Sequence, residues 1–181
     1  AVDIPSTNPK GNEKPMCEYV ESLLKQNGIE YFSVPVEEGR YDIIAKLNGK
    51  TNKDAIVFTG HMDVVPVSDD EIKRWNTPPF KSTIKDGKLY GRGSADMKSG
   101  LISAIYSMIL LKRNNIIPER DIIIAATIDE ENFMKGSKAL YQNKVFDNAK
   151  YLIVCEPTDM KICNRQKGRS WADVCVHGMT A

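Results

Sequence analysis

Ile56-Val57-Phe58-Thr59-Gly60-His61-Met62-Asp63-Val64-Val65-Pro66 reads as a buried strand that runs into a sharp turn and ends in an imidazole and a carboxylate. Two later segments repeat the plan. Ile122-Ile123-Ile124-Ala125-Ala126-Thr127-Ile128 leads directly into Asp129-Glu130-Glu131, and Tyr151-Leu152-Ile153-Val154-Cys155 leads into Glu156-Pro157-Thr158. Continuous apolar runs of this kind suit strands covered on both faces, as in a parallel sheet. In such sheets the site lies beyond the carboxyl ends of the strands. One imidazole and several carboxylates then converge on one rim, where they repel one another and are costly to desolvate. A divalent cation resolves that conflict, so the pattern points to a metal site.

With 181 residues the chain has room for one full domain. A net charge of +1 gives no sign of a nucleic-acid surface or an acidic partner. The charged fraction of 27% and the hydrophobic fraction of 41% are those of an ordinary globular domain. Cys17, Cys155, Cys163 and Cys175 form no Cys-x-x-Cys pair, which argues against a structural zinc knuckle. Cys155 and Cys175 fall in apolar strand patterns and read as reduced core residues, so a cytoplasmic setting is expected. The longest apolar stretch, Leu101 to Leu111, is well short of the roughly 20 residues that a membrane span requires. The chain opens on Ala1 and stops at Ala181 within an apparent strand, so a piece of a longer protein is expected.

A helix is expected from about Glu13, with Pro15 in its first turn and Asn27-Gly28 at its end. Strands follow over Tyr31 to Val36 and Tyr41 to Leu47, and then a polar loop from Asn48 to Asp54. An irregular passage runs from Pro66 to Phe80. A hairpin turns at Asp86-Gly87. A buried helix is expected from about Met97 to Arg113, and a shorter one from Gly136 to Asn143. Lys161 to Gln166 reads as one more strand. Lys167-Gly168-Arg169 reads as a hinge, and the alternation from Ser170 to His177 as the start of a separate sheet.

Four places carry possible chemistry. A metal-bound imidazole commonly passes its other N–H to a carboxylate, and Asp63 is placed to receive it from His61; the pair would read equally as an ordinary surface ion pair. Asp96 lies among Gly91, Gly93 and Gly100, and its two oxygens suit a bridge between two ions, or else it caps the following helix. Gly91-x-Gly93 lacks the third glycine of a dinucleotide loop, because Asp96 stands there. Glu130 and Glu131 diverge as neighbours do, which suits one ligand and one general base, though an acidic run is often only a solvated turn. Glu156 closes the last core strand, as a ligand or as a capping acid.

Taken together and in this order, Gly60 to Pro66, Trp75 with Pro79-Phe80, Asp86 to Gly100, Asp129-Glu130-Glu131 and Glu156-Pro157-Thr158 strongly resemble the co-catalytic zinc amidohydrolases and metallopeptidases. That family includes acetylornithine deacetylase, succinyl-diaminopimelate desuccinylase and aminoacylase. The resemblance implies a three-layer α/β/α domain around a mixed, mainly parallel sheet. Residues 1–170 would form the N-terminal part of the zinc-dependent catalytic domain, and 171–181 the first strand of a lid and dimerisation domain that is otherwise missing. It implies two Zn²⁺ ions, with Co²⁺ or Mn²⁺ as possible substitutes. His61 and Glu156 would hold one ion, and Asp96 would bridge to a second that Glu131 also binds. Glu130 would act as general base, Asp63 would steady His61, and the peptide after Asp96 would be cis. The implied reaction is hydrolysis of the amide of an N-acyl amino acid, with a di- or tripeptidase on the same scaffold as one alternative and a non-catalytic metal- or substrate-binding module as another. The implied partners are that small substrate and a second copy in a homodimer formed through the lid; neither nucleic acid nor a membrane is expected. The family's remaining histidine ligand would lie beyond Ala181, and His177 does not match the family's lid histidine. These 181 residues by themselves are therefore expected to bind zinc weakly and to be inactive.

Overall fold

The computed structural model describes residues 1–168, 170 and 172–178. The sequence expectations that fall on Arg169, Trp171, Met179, Thr180 and Ala181 lie outside the described residues. Helix α1 (Lys14–Gln26) begins with a proline in its first turn and ends before Gly28, whose φ of +61° reverses the chain. Strands β1 (Glu30–Glu37) and β2 (Arg40–Leu47) form an antiparallel pair. Strand β3 (Thr51–His61) starts within the stretch 48–54 whose polar composition suggests a loop, because Thr51 pairs with Arg120 ahead of an irregularity in register. Helix α2 (Asp69–Ile72) is a single turn that the sequence left as irregular; the Ser68 hydroxyl accepts from the Glu71 amide and caps it. A small hairpin of β4 (Thr83–Lys85) and β5 (Lys88–Tyr90) follows, then α3 (Lys98–Arg113), β6 (Arg120–Thr127), α4 (Lys135–Gln142) and β7 (Ala149–Val154).

The main sheet has the order β1-β2-β6-β3-β7. Strands β3, β6 and β7 run parallel, while β1 and β2 join antiparallel at one side. Alternation along each strand serves two cores. Ile43, Ala45, Ile124 and Ala126 face α1 and α3, where they meet Met16, Val20, Leu24, Leu101, Ile105 and Ile109. Ile44, Val57, Ile123 and Ala125 face the other way and pack with Ala139 and Leu140 of α4. The result is the expected three-layer α/β/α arrangement around a mixed, mainly parallel sheet.

Three local expectations need correction. Strand β7 is not covered on both faces: Tyr151, Leu152, Ile153 and Val154 are all exposed, because β7 is the sheet edge and no described helix lies over it. Helix α3 is buried on one side only, with Tyr106 and Leu110 exposed on the other. Residues 161–166 form no strand, and Cys175 is exposed rather than part of the core.

A buried acid on β2 makes stability pH-dependent. Asp42 is fully buried and its Oδ1 accepts from the Ile128 amide, while its Oδ2 has no partner among the described residues. Burial pushes its carboxyl up to about 7, with Asp63 and Glu13 adding to the shift and the Ile128 amide and Arg40 opposing it. The fold therefore prefers the neutral acid. That preference is fully expressed below the unfolded value near 4 and is lost as pH rises through about 7. Asp42→Asn is neutral at every pH and keeps the Ile128 contact. Its advantage over wild type in urea unfolding should grow from near zero at pH 4 to roughly 2–4 kcal/mol at pH 8. A pH-independent difference between the two proteins would contradict this.

Candidate metal centre

Register places the acidic and imidazole groups on one rim. His61 ends β3 opposite Thr127 at the end of β6, and Thr59 lies opposite Val154 at the end of β7. Two further hydrogen bonds continue the alignment past the strands, from the Met62 amide to the Thr127 carbonyl and from the Cys155 amide to the Thr59 carbonyl. His61, Glu130, Glu131 and Glu156 are thereby carried to the same end of three parallel strands. Asp96 arrives from the loop before α3, where Gly93 adopts a φ of +83° that side chains rarely accept. The Asp96–Met97 peptide is cis. Asp96 does not cap α3: the capping position is Met97, with no side-chain bond. The start of α3 packs closely against Cys155, the residue that follows β7, since a Cβ on Gly100 would stand 2.1 Å from the Cys155 carbonyl oxygen, and this contact sets how near Asp96 comes to Glu156.

The buried ring of His61 has its two nitrogens in different surroundings. Nδ1 bonds the main-chain carbonyl of Asp63 at 2.8 Å. Nε2 faces carboxylate oxygens of Asp96 at 3.2 Å, Glu156 at 3.4 Å and Glu130 at 3.7 Å. Two overlapping trios, His61 with Glu130 and Glu156, and His61 with Asp96 and Glu131, each offer donor atoms within 4.8 Å of one another. Glu130, expected as the base, thus lies within one trio.

Asp63 holds a position the sequence only partly indicates. Its carboxylate is 3.6 Å from His61 Nδ1, a looser approach than its own carbonyl makes. Its oxygens instead accept from the main-chain amides of Glu130 at 3.1 Å and Glu131 at 3.0 Å. A third donor, Asn8 Nδ2, reaches it at 2.5 Å. Asn8, Glu13, Arg40 and Asp129 therefore belong to the surroundings of the site, and sequence reading missed all but the last as anything other than turn or helix residues. The one available signal was Asp129, an acid placed between a buried strand and two glutamates.

The electrostatics reflect crowding of like charge. Burial raises the Glu156 carboxyl to about 7, and Asp96, Glu130 and Glu131 push the same way against His61. Burial also raises Glu131, with Asp96 the next contributor. Asp96 is held below the usual range by its hydrogen bond with His61. Burial alone would lower the imidazole, but the bond with Asp96 and the fields of Asp63 and Glu156 raise it to about 9. Among the described residues, no lysine or arginine pairs with Asp96, Glu130, Glu131 or Glu156. An imidazole nitrogen facing three carboxylates needs a positive charge between them, either a proton or a cation. Imidazole and carboxylate donors in overlapping trios fit divalent ions such as zinc or manganese. Beside Asp96 and Glu131 lies a cavity of about 240 Å³, walled by Val65, Trp75 and Gly91 to Ala95.

The sequence pattern of Peptidase family M20/M25/M40 matches residues 57–165, more than half of the chain. The chain belongs to this family. Among M20 relatives, it is 35% identical over 170 residues to a probable succinyl-diaminopimelate desuccinylase of Staphylococcus epidermidis, covering 94% of this chain and 41% of that protein. The chain thus spans about two fifths of the length of the curated relatives it matches. Among solved structures, human carnosine dipeptidase 1 matches with a TM-score of 0.71 at 23% identity, over 84% of this chain and 36% of that one. The Bacillus subtilis YXEP protein, described as a dinuclear metal binding peptidase of the M20 family, matches with a TM-score of 0.61 at 17% identity, over 84% and 39% of the respective chains. These two likenesses establish the shared M20 fold.

Proposed function

We propose that this chain carries most of the metal centre of a zinc-dependent hydrolase that cleaves the amide bond of an N-acyl amino acid or a related small substrate. The observation that carries the reading is His61 Nε2 facing three carboxylates that, among the described residues, no lysine or arginine pairs with. His61 and Glu156 would hold one ion, and Asp96 would be shared with a second ion held by Glu131. When bound, such ions polarise a carbonyl and bring the pKa of water towards about 7. Glu130 is half-buried, open enough to meet water and fixed through its main-chain amide by Asp63. It takes the proton of the attacking water and returns it to the departing amine. The 35% identity to a protein named as a desuccinylase favours an N-acyl substrate over a peptide. The free cysteines among the described residues suit a reducing, cytoplasmic setting, and no helix among those residues is long and apolar enough to cross a membrane.

Two measurements test this. Calorimetric titration of the metal-stripped chain with Zn²⁺ or Co²⁺ should show binding that His61→Ala weakens by at least about a hundredfold, through loss of a ligand shared by both trios. Assay of the whole protein on N-succinyl and N-acetyl amino acids beside dipeptides should give turnover on the acylated set, abolished by a chelator and restored by metal. Turnover on dipeptides alone would replace the deacylase reading with a peptidase. Failure of His61→Ala to weaken binding would remove the proposed centre.

A further inference from the structure

A buried polar ring adjoins the acidic rim. Asn8 is buried, in a segment laid beside the residues after β3: its amide donates to the Val64 carbonyl, and the Val64 amide donates to Ser6. Its side-chain Nδ2 donates to Asp63 Oδ2 at 2.5 Å and to Glu13 Oε1 at 3.4 Å. Its Oδ1 has no partner among the described residues, so the orientation of the amide is set by the two carboxylates. Glu13 accepts from Arg40, and Arg40 also donates to Asp129 at 3.2 Å. Asp129 in turn accepts from the amides of Phe133 and Lys135. The two ends of the series, Asp63 and Asp129, grip the same short turn from opposite sides. Asp63 takes the amides of Glu130 and Glu131, and Asp129, at a φ of +64°, immediately precedes them.

We infer that Asn8 is a positioning residue for the metal centre: it holds the Asp63 carboxylate so that Glu130 and Glu131 present their side chains to His61. The chemistry favours an amide at this position. Asp63 and Glu13 are two buried acids, and a neutral group with two N–H donors joins them without adding charge. A group without donors would leave Asp63 held only by the two glutamate amides that it positions, with no side chain anchoring it from the other end. The N-terminal segment thereby becomes part of the apparatus that shapes the site, although it supplies no ligand itself. This inference rests on the metal-centre reading above.

The test is Co²⁺ titration of the chain, followed through the visible d–d bands, for wild type, Asn8→Ala, Asn8→Ser and Ile105→Val. Ile105 is a core residue of α3 outside the ring, and its substitution supplies a loss of stability without a loss of positioning. Both Asn8 variants should bind Co²⁺ at least about tenfold more weakly than wild type with altered bands, while Ile105→Val binds within about threefold despite a lowered Tm. Wild-type affinity and bands in either folded Asn8 variant would overturn the inference. So would an equal loss of affinity in Ile105→Val, or failure of both Asn8 variants to fold, since either result makes the role one of general stability. Wild-type chain that takes up no Co²⁺ would instead overturn the metal-centre reading, and this inference with it.

Discussion

In the whole protein, Glu130→Gln is expected to retain bound metal to within a few-fold while hydrolysis falls by about 10²–10⁴. The substitution keeps the size and polarity of the side chain and removes only its ability to accept a proton. The Glu130 backbone stays where Asp63 holds it, because that contact uses the main-chain amide. The geometry also supplies a discriminating outcome, because Glu130 shares a trio with His61 and Glu156. If Glu130 is the base, kcat collapses and affinity for the ion is nearly unchanged. A parallel fall in affinity would identify Glu130 as a ligand, and undiminished turnover would end its assignment as base.

Gly100→Ala should be the most damaging single-methyl change in this region. The added carbon would stand 2.1 Å from the Cys155 carbonyl oxygen and 3.1 Å from its carbonyl carbon. These are main-chain atoms at the end of β7, so no rotamer change relieves the contact. Either α3 or the Cys155–Glu156 segment must move. Overpacking of this kind costs about 3 kcal/mol. The displacement should also separate Glu156 from His61, now 3.4 Å apart, and lower Co²⁺ affinity by about tenfold. Urea unfolding and cobalt titration together measure both effects. A variant with wild-type stability would show that the helix and the strand end are less tightly coupled than the contact implies.

The parallel strands and the rim were legible because the signal was physical and local. Three apolar runs each ended in acids or imidazole, and the sheet register placed those ends side by side. Asp86-Gly87 gave the hairpin because both residues take positive φ, at 50° and 70°. The ring of Asn8, Glu13, Arg40 and Asp129 was not legible, since its members lie far apart in sequence and each has an ordinary local reading. Asn8 sits in a turn-rich stretch next to Pro9, and Glu13 looks like a helix start. Only the folded chain joins them. The exposure of β7 escaped for a different reason. An apolar run states that a strand prefers burial, but not whether a partner lies over it. Asp63 lies beside His61, as its spacing suggests, yet its main-chain carbonyl makes the closer contact with the ring and its carboxylate reaches across to the next strand end.

Strand β7 has a further consequence for the behaviour of this polypeptide in concentrated solution. Among the described residues no strand pairs with its outer side, and Tyr151 to Val154 form four consecutive water-facing apolar residues. Lys150 is the strand's one charged residue, and it leans back within 3.8 Å of Asp54. Among the described residues, nothing along the margin discourages another extended backbone from aligning with it, which makes this border the place where self-association of this stretch would begin.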